Sequence, residues 1–331
     1  MKRPSKPFVA FAVAAGPEIG FGHLVRARRL ALALGVRQEL ILTGPPAARD
    51  VAVAFGWTVH DGADALAALE PDLLVIDDPS ATRVARWTAQ AERLDIPTVV
   101  IEDGRSLTSR ATLVVDGNIA SRPLNSPSRL SGPDFALIDP RYATAHRRPH
   151  RRTRILISLG GGAHARRFGR ALAAAVVSEI PGVAVDIAAG FTGGVSTGAL
   201  PAGCRWVSRP DGLVRSFSGA AVAVVAGGVS LHEACAAGCP AVAVAVVPGQ
   251  RAAIRAAAAR SAVIDAGLLD RPAALGRVAQ GVAELLSNPT RARLQATRAA
   301  RLVDGRGLSR VVRRIQTLVE RDHAEGWRDA A

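Results

Sequence analysis

An apolar run of strand length, Phe8 to Ala14, is followed within a few residues by Leu24, Ala27, Ala31 and Leu34 at helical spacing. Between them lies Gly20-Phe21-Gly22-His23-Leu24-Val25-Arg26, a glycine-rich turn that leads straight into the helix. The alternation continues through Glu39 to Leu42, Leu73 to Ile76, Thr98 to Ile101 and Leu113 to Val115, short apolar runs separated by helical stretches. That order predicts a parallel sheet. Asp72 and Asp77-Asp78-Pro79 bracket the Leu73 run, Pro97 opens the next, and the first domain is expected to span 1–140.

The pattern restarts after a basic linker, 141–153, which contains His146-Arg147-Arg148-Pro149-His150-Arg151-Arg152. Arg154 to Leu159 reads as a strand, Gly160-Gly161-Gly162 as a turn and Ala165 to Ser178 as a helix. Strands follow at Val183 to Ala188, Ala221 to Val225 and Ala241 to Val246, with helices from about Ser230 and Arg251. Amphipathic helices at 273–286, 289–302 and 308–321 complete a second domain, 154–331. Two doubly wound α/β units are expected to face a central cleft, with ligands beyond the carboxyl ends of their strands.

At 331 residues and 49% hydrophobic content the chain can bury two ordinary cores. Its net charge of +14 raises nucleic acid or an anionic membrane as partners. All but Lys2 and Lys6 of the 42 basic residues are arginine, however, and they spread over the whole chain. This usage points to genomic base composition, so no nucleic-acid partner is expected and the dense run reads as a solvated linker. The three cysteines, Cys204, Cys235 and Cys239, provide neither a paired framework nor zinc spacing, so no metal is expected. Lys2, Arg3 and Lys6 before the first apolar run imitate a short signal peptide, but cleavage there would remove the strand that positions the glycine turn. No run reaches membrane-spanning length, and a cytoplasmic protein is expected.

Three constellations carry candidate chemistry. His23 lies where a helix N-terminus disfavours a second positive charge, leaving the neutral ring that a general base needs. A purely hydrogen-bonding histidine fits the same spacing. Gly160-Gly161-Gly162 can form a phosphate-binding nest or simply reverse the chain. Ala226-Gly227-Gly228-Val229-Ser230-Leu231-His232-Glu233 ends a buried strand in two glycines and starts a helix, whose N–H groups can hold a diphosphate while Glu233 accepts from a ribose diol. Ser230 and Glu233 are equally spaced as a capping box. Gln250 and the Asp77-Asp78 pair mark two further strand ends; a carboxylate pair can bind a metal or sugar hydroxyls, but aspartates at a strand end are more often turn formers, and that reading is preferred. Neither a dinucleotide fingerprint nor a P-loop is present, and no cofactor is expected.

Taken in order, GFGHLVR at 20–26, GGG at 160–162, GGVSLHEACAAGCP at 227–240, Gln250 and Asp304-Gly305-Arg306-Gly307 resemble one family. It comprises the UDP-sugar hydrolases of pseudaminic acid biosynthesis and their spore-coat polysaccharide relatives, and the resemblance extends over essentially the whole chain. That family looks like the GT-B glycosyltransferases, especially the one that makes lipid II, but hands the sugar to water. The resemblance implies two Rossmann-like domains and cleavage of the anomeric C–O bond of a UDP-linked amino-deoxy sugar. His23 matches the family's base and Glu233 its ribose-binding acid. The binding set is completed by Gly20, Gly22, Arg26, Asp78, Gly160, Gly161, Gly162, Gly227, Gly228, Ser230 and Gln250. Departures from the family fall at Ala163, Gly249, Asp139 and the tyrosine-free segment 77–79. The rival reading from the same residues is a glycosyltransferase whose histidine activates an acceptor hydroxyl. A non-catalytic arginine-rich module for nucleic acid or a sugar nucleotide is the third.

Overall fold

A computed structural model describes residues 7–62, 64–104, 110–144, 154–191, 199–209, 211–270 and 272–325. Lys2, Arg3, Lys6 and the basic run 146–152 lie outside them. The chain forms two units, one of 1–19, 23–137 and 306–331 and the other of 20–22 and 138–305.

In the first unit the elements run β1 (Phe8–Ala14), α1 (Gly22–Leu34), β2 (Arg37–Thr43), α2 (Pro46–Ala54), β3 (Val59–His60), α3 (Ala65–Leu69), β4 (Leu73–Asp77), α4 (Ala81–Arg93), β5 (Thr98–Glu102), β6 (Leu113–Asp116), β7 (Leu124–Asn125) and β8 (Arg129–Ser131). The sheet order is β3-β2-β1-β4-β5-β6-β8-β7, parallel throughout except where β7 runs back along β8. Its first six strands have the doubly wound order in which successive connections leave β1 and β4 in opposite directions. Every residue of β1, β4, β5 and β6 is buried, because helices cover both faces. Helix α4 shows how the local sequence builds this arrangement. The Ser80 side chain accepts from Arg83 N at its start, and Val84, Trp87 and Ala91 then pack onto Leu74, Ile76 and Val100.

The second unit contains β9 (Arg154–Ser158), α5 (His164–Glu179), β10 (Ala184–Ala188), β11 (Cys204–Val207), α6 (Val214–Gly219), β12 (Val222–Ala226), α7 (Val229–Ala236), β13 (Ala241–Ala245), α8 (Arg251–Ala259), β14 (Ile264–Leu268), α9 (Pro272–Ser287) and α10 (Pro289–Leu302). Its six strands are all parallel in the order β11-β10-β9-β12-β13-β14. This repeats the strand order of the first sheet.

The last helix, α11 (Gly307–Glu325), corrects the expected boundaries. The expected second domain is 154–331, but 306–331 belongs to the first unit. The reason lies in α11 itself. Its buried stripe includes Leu308, Val311, Ile315 and Val319, and a side chain at Gly307 would collide with Ala136 backbone. Arg310 donates to Asp134 O at 2.9 Å, and Arg314 donates to Ser126 O at 2.7 Å and Asn125 Oδ1 at 3.1 Å. The β7–β8 hairpin is thereby tied to the end of the chain.

Candidate active site

In a doubly wound sheet, ligands sit where adjacent strands send their connections to opposite faces. For the first sheet that point lies at the carboxyl ends of β1 and β4, where Val13 is level with Asp77. The turn after β1 needs a positive φ at Gly20, +94°, and delivers the chain into α1 at Gly22. His23 is consequently the second residue of that helix. Its Nδ1 lies 2.6 Å from Asp77 Oδ1, although 54 residues separate the two.

Asp77 is the last residue of a fully buried strand and is itself buried. A carboxylate there requires partners. Arg26, one turn after His23 on α1, supplies them by donating from Nε to Oδ2 at 2.8 Å and from Nη2 to Oδ1 at 2.7 Å. Burial opposes ionisation of Asp77, but the Arg26 and His23 side chains outweigh it and hold the carboxyl down to about 2. An ionised oxygen at 2.6 Å can only accept, so Nδ1 carries a proton, and in the neutral ring the lone pair is on Nε2. Arg26 Nη2 is also 3.0 Å from Nδ1, but with that proton in place the contact is an electrostatic neighbour, not a hydrogen bond. The His23 side chain is 14% exposed and Asp77 1%, which puts a buried orienting group behind a reachable ring. Such an arrangement can hold a general base in one tautomer.

Asp78, the carboxylate expected among the binding residues, is occupied locally. It accepts from Ser80 N at 2.8 Å and from Arg83 Nε and Nη2 at 2.6 and 2.7 Å. Asp77, which shares with Asp78 the expectation of a turn former, is the one that meets His23. Both are buried, and register distinguishes them: Asp77 ends β4 level with Val13 of β1, whereas Asp78 follows the strand, a difference that requires knowledge of the strand order. Further along the same sheet edge, Asp116 accepts from Gly104 N, Asn118 N and Ser121 Oγ, the last at 2.6 Å.

In the second sheet the corresponding point lies between β9 and β12, and Ser158 and Ser230 bridge it with hydroxyls 2.9 Å apart. Ser230 is the second residue of α7 and makes no cap. The cap position belongs to Gly228, which has no side chain to offer, so Ser230 and Glu233 do not form a capping box. Helix α5 likewise starts behind Ala163 without a side-chain cap. Two helix starts therefore present N–H groups that have no intrahelical acceptor. Glu233 is buried within α7, at 3% exposure.

The glycines here have distinct roles. Gly160 has a φ of +91° and open space around it. Gly161 is required by packing, since a Cβ would lie 2.5 Å from the Phe191 ring, and its carbonyl accepts from Phe191 N at 2.9 Å. Gly162 lies in the same turn before α5. A Cβ on Gly227 would meet Gln250 Cβ and O at 2.8 Å, whereas Gly228 has nothing nearer than Gln250 Nε2 at 3.9 Å. Gln250 Oε1 accepts from Gly227 N at 3.3 Å and Val246 N at 3.0 Å, joining the turns after β12 and β13. Among the described residues, no cluster of three or more His, Cys, Asp or Glu is placed to hold a metal, and no helix is long and apolar enough to cross a membrane.

No family model matches this sequence, and no curated protein matches it. Solved structures do. MurG of Acinetobacter baumannii is 18% identical, with a TM-score of 0.61 over 94% of this chain and 100% of its own. The spinosyn forosaminyltransferase SpnP is 15% identical, with a TM-score of 0.64 over 96% of this chain and 100% of its own. The spinosyn rhamnosyltransferase SpnG, complexed with thymidine diphosphate, is 17% identical, with a TM-score of 0.61 over 92% of this chain and 99% of its own. The chain thus has the two-domain GT-B fold, with a Rossmann-like sheet in each unit.

Proposed function

We propose that this chain is an enzyme that takes a glycosyl group from a nucleotide diphosphate sugar, a UDP-sugar on this reading, and transfers it to an acceptor hydroxyl. His23, oriented by Asp77, is the observation that carries the reading. Nε2 removes the proton of the incoming hydroxyl, its oxygen forms a bond to the anomeric carbon, and the C–O bond to the diphosphate breaks with the electron pair leaving on phosphate. The uncapped starts of α5 and α7 would receive that charge, a role that suits backbone N–H groups and helix dipoles. Glu233 is assigned to the ribose diol and Gly160, Gly162, Gly228 and Ser230 to the diphosphate. The GT-B fold, shared with transferases that include a thymidine diphosphate complex, supports this class.

Water in place of the acceptor is the second reading, and the ordered motif set from Gly20 to Gly307 favours it because that set resembles UDP-sugar hydrolases. On that reading the substrate is a UDP-linked amino-deoxy sugar and the products are UDP and free sugar. Both readings are tested by incubating the purified protein with UDP-, dTDP- and CMP-sugars and following nucleotide release. Turnover only with added acceptor establishes transfer, whereas free sugar in its absence establishes hydrolysis. No release from any donor refutes both. A single displacement also requires inversion at the anomeric carbon, which proton NMR of the first-formed product reads directly.

A further inference from the structure

The motif that supplies His23 also supplies Arg26, expected from the sequence to contact substrate. Its side chain instead turns inward and is only 10% exposed. Nε and Nη2 close a two-pronged fork on Asp77, and Nη1 lies 3.8 Å from Asp103 Oδ2 just beyond β5. These donors engage carboxylates of the protein itself.

A buried carboxylate 2.6 Å from Nδ1 has two opposed effects on a general base. It fixes the tautomer and ring orientation, but it also favours the imidazolium form, which has no lone pair with which to take a proton. A cation that shares the carboxylate offsets the second effect and keeps the first. Arg26 is such a cation, since the Nη2 that bonds Asp77 Oδ1 stands 3.0 Å from the ring nitrogen. We propose that Arg26 is a positioning residue that neutralises Asp77, so that the carboxylate orients His23 without holding it protonated. The inference rests on the reading of His23 as the base.

The other charged groups around this point agree with the assignment. Asp77 comes from β4 and Arg26 from α1, Asp103 lies just after β5, and Asp116 at the end of β6 acts on Arg26 from farther away. Burial works against the guanidinium charge, but Asp77 and Asp103 outweigh it and raise the Arg26 pKa above its ordinary value. The positive charge is therefore permanent. Asp77 accepts two bonds from the fork and one from the ring. A lysine would place a charge in the same area without the fork.

The test compares Arg26→Gln and Arg26→Lys with the wild-type chain by NMR titration of the His23 ring and by the pH profile of kcat/KM. In Arg26→Gln the unbalanced Asp77 charge should move the ring titration and the acid limb of the profile to higher pH by about one unit, with KM for the sugar nucleotide within about twofold of wild type. Arg26→Lys should restore both pH positions and leave only a lowered kcat, from loss of the planar fork. A folded Arg26→Gln protein whose His23 titrates as in wild type overturns the proposal, as does a rise in KM alone, which would make Arg26 a substrate contact. If Arg26→Gln does not fold, Asp77→Asn gives the converse comparison: its ring titration should move to lower pH, and an unmoved titration overturns the proposal. Ring titration needs no turnover, so a shift in a protein inactive on every donor upholds Arg26 and refutes the proposed reaction.

Discussion

Asp77 is where stability and chemistry meet in one side chain. Its value of about 2 in the folded protein lies below the ordinary carboxylate range, so its pairing contributes stability above about pH 4 that is lost as the pH falls through 2. The difference corresponds to about 2 kcal/mol, and urea unfolding from pH 6 to pH 2 should show that loss in the wild type and not in Asp77→Asn. Its second consequence is kinetic. Replacing His23 by alanine removes the group to which proton removal is assigned and should lower kcat by about a hundredfold or more, measured as nucleotide release under saturating donor. Asp77→Asn leaves the ring in place without its orienting charge and should lower kcat with little change in KM. Retention of full rate by His23→Ala would exclude the histidine from the reaction.

Strands and the turns between them explain what could be read in advance. Buried parallel strands must be apolar along their whole length, so β1, β4, β5, β9, β12 and β13 stand out as continuous runs, and their ends fall within a residue or two of the expected positions. β14 does not stand out, because Ile264-Asp265-Ala266-Gly267-Leu268 mixes a carboxylate and a left-handed glycine at φ +91° into a sheet edge. α11 was visible as a helix but not as a part of the first unit, since amphipathic spacing records that a face is buried and not against what. The pairing of His23 with Asp77 was hidden for the same reason, as two residues 54 apart meet only through the order of β1 and β4. Gly227 shows how much a turn depends on a missing side chain. Gly227→Ala would press on Gln250 and Ile254 at 2.8–2.9 Å and should displace α8. The expected cost is about 1–3 kcal/mol by thermal or urea unfolding, with weakened nucleotide binding as Gln250 loses its hold on the turn.

On the proposed reading the base is assigned to the first unit and the nucleotide to the second. A ligand that binds only the folded protein raises its stability, by about 3 kcal/mol at a hundred times its dissociation constant. UDP, dTDP and CMP compared by thermal shift should therefore rank by affinity, and His23→Ala should leave the ranking and the shifts unchanged while turnover is lost. A change in the second unit should do the reverse. Gly228 caps α7 at φ −101° and ψ −139°, outside the usual extended cap geometry, and nothing crowds the position of its absent Cβ. Aspartate is among the preferred residues at a helix cap, where it accepts from the first-turn N–H groups. Gly228→Asp should thus leave the unliganded protein folded, with the gained cap set against the strain of a side chain at that ψ, for a net change of about 1 kcal/mol or less. Its carboxylate would, however, occupy the N–H groups assigned to the diphosphate and repel that charge, so the nucleotide-induced rise in Tm should vanish. A Gly228→Asp protein that is still stabilised by UDP or dTDP as strongly as the wild type would show that the start of α7 is not the diphosphate site.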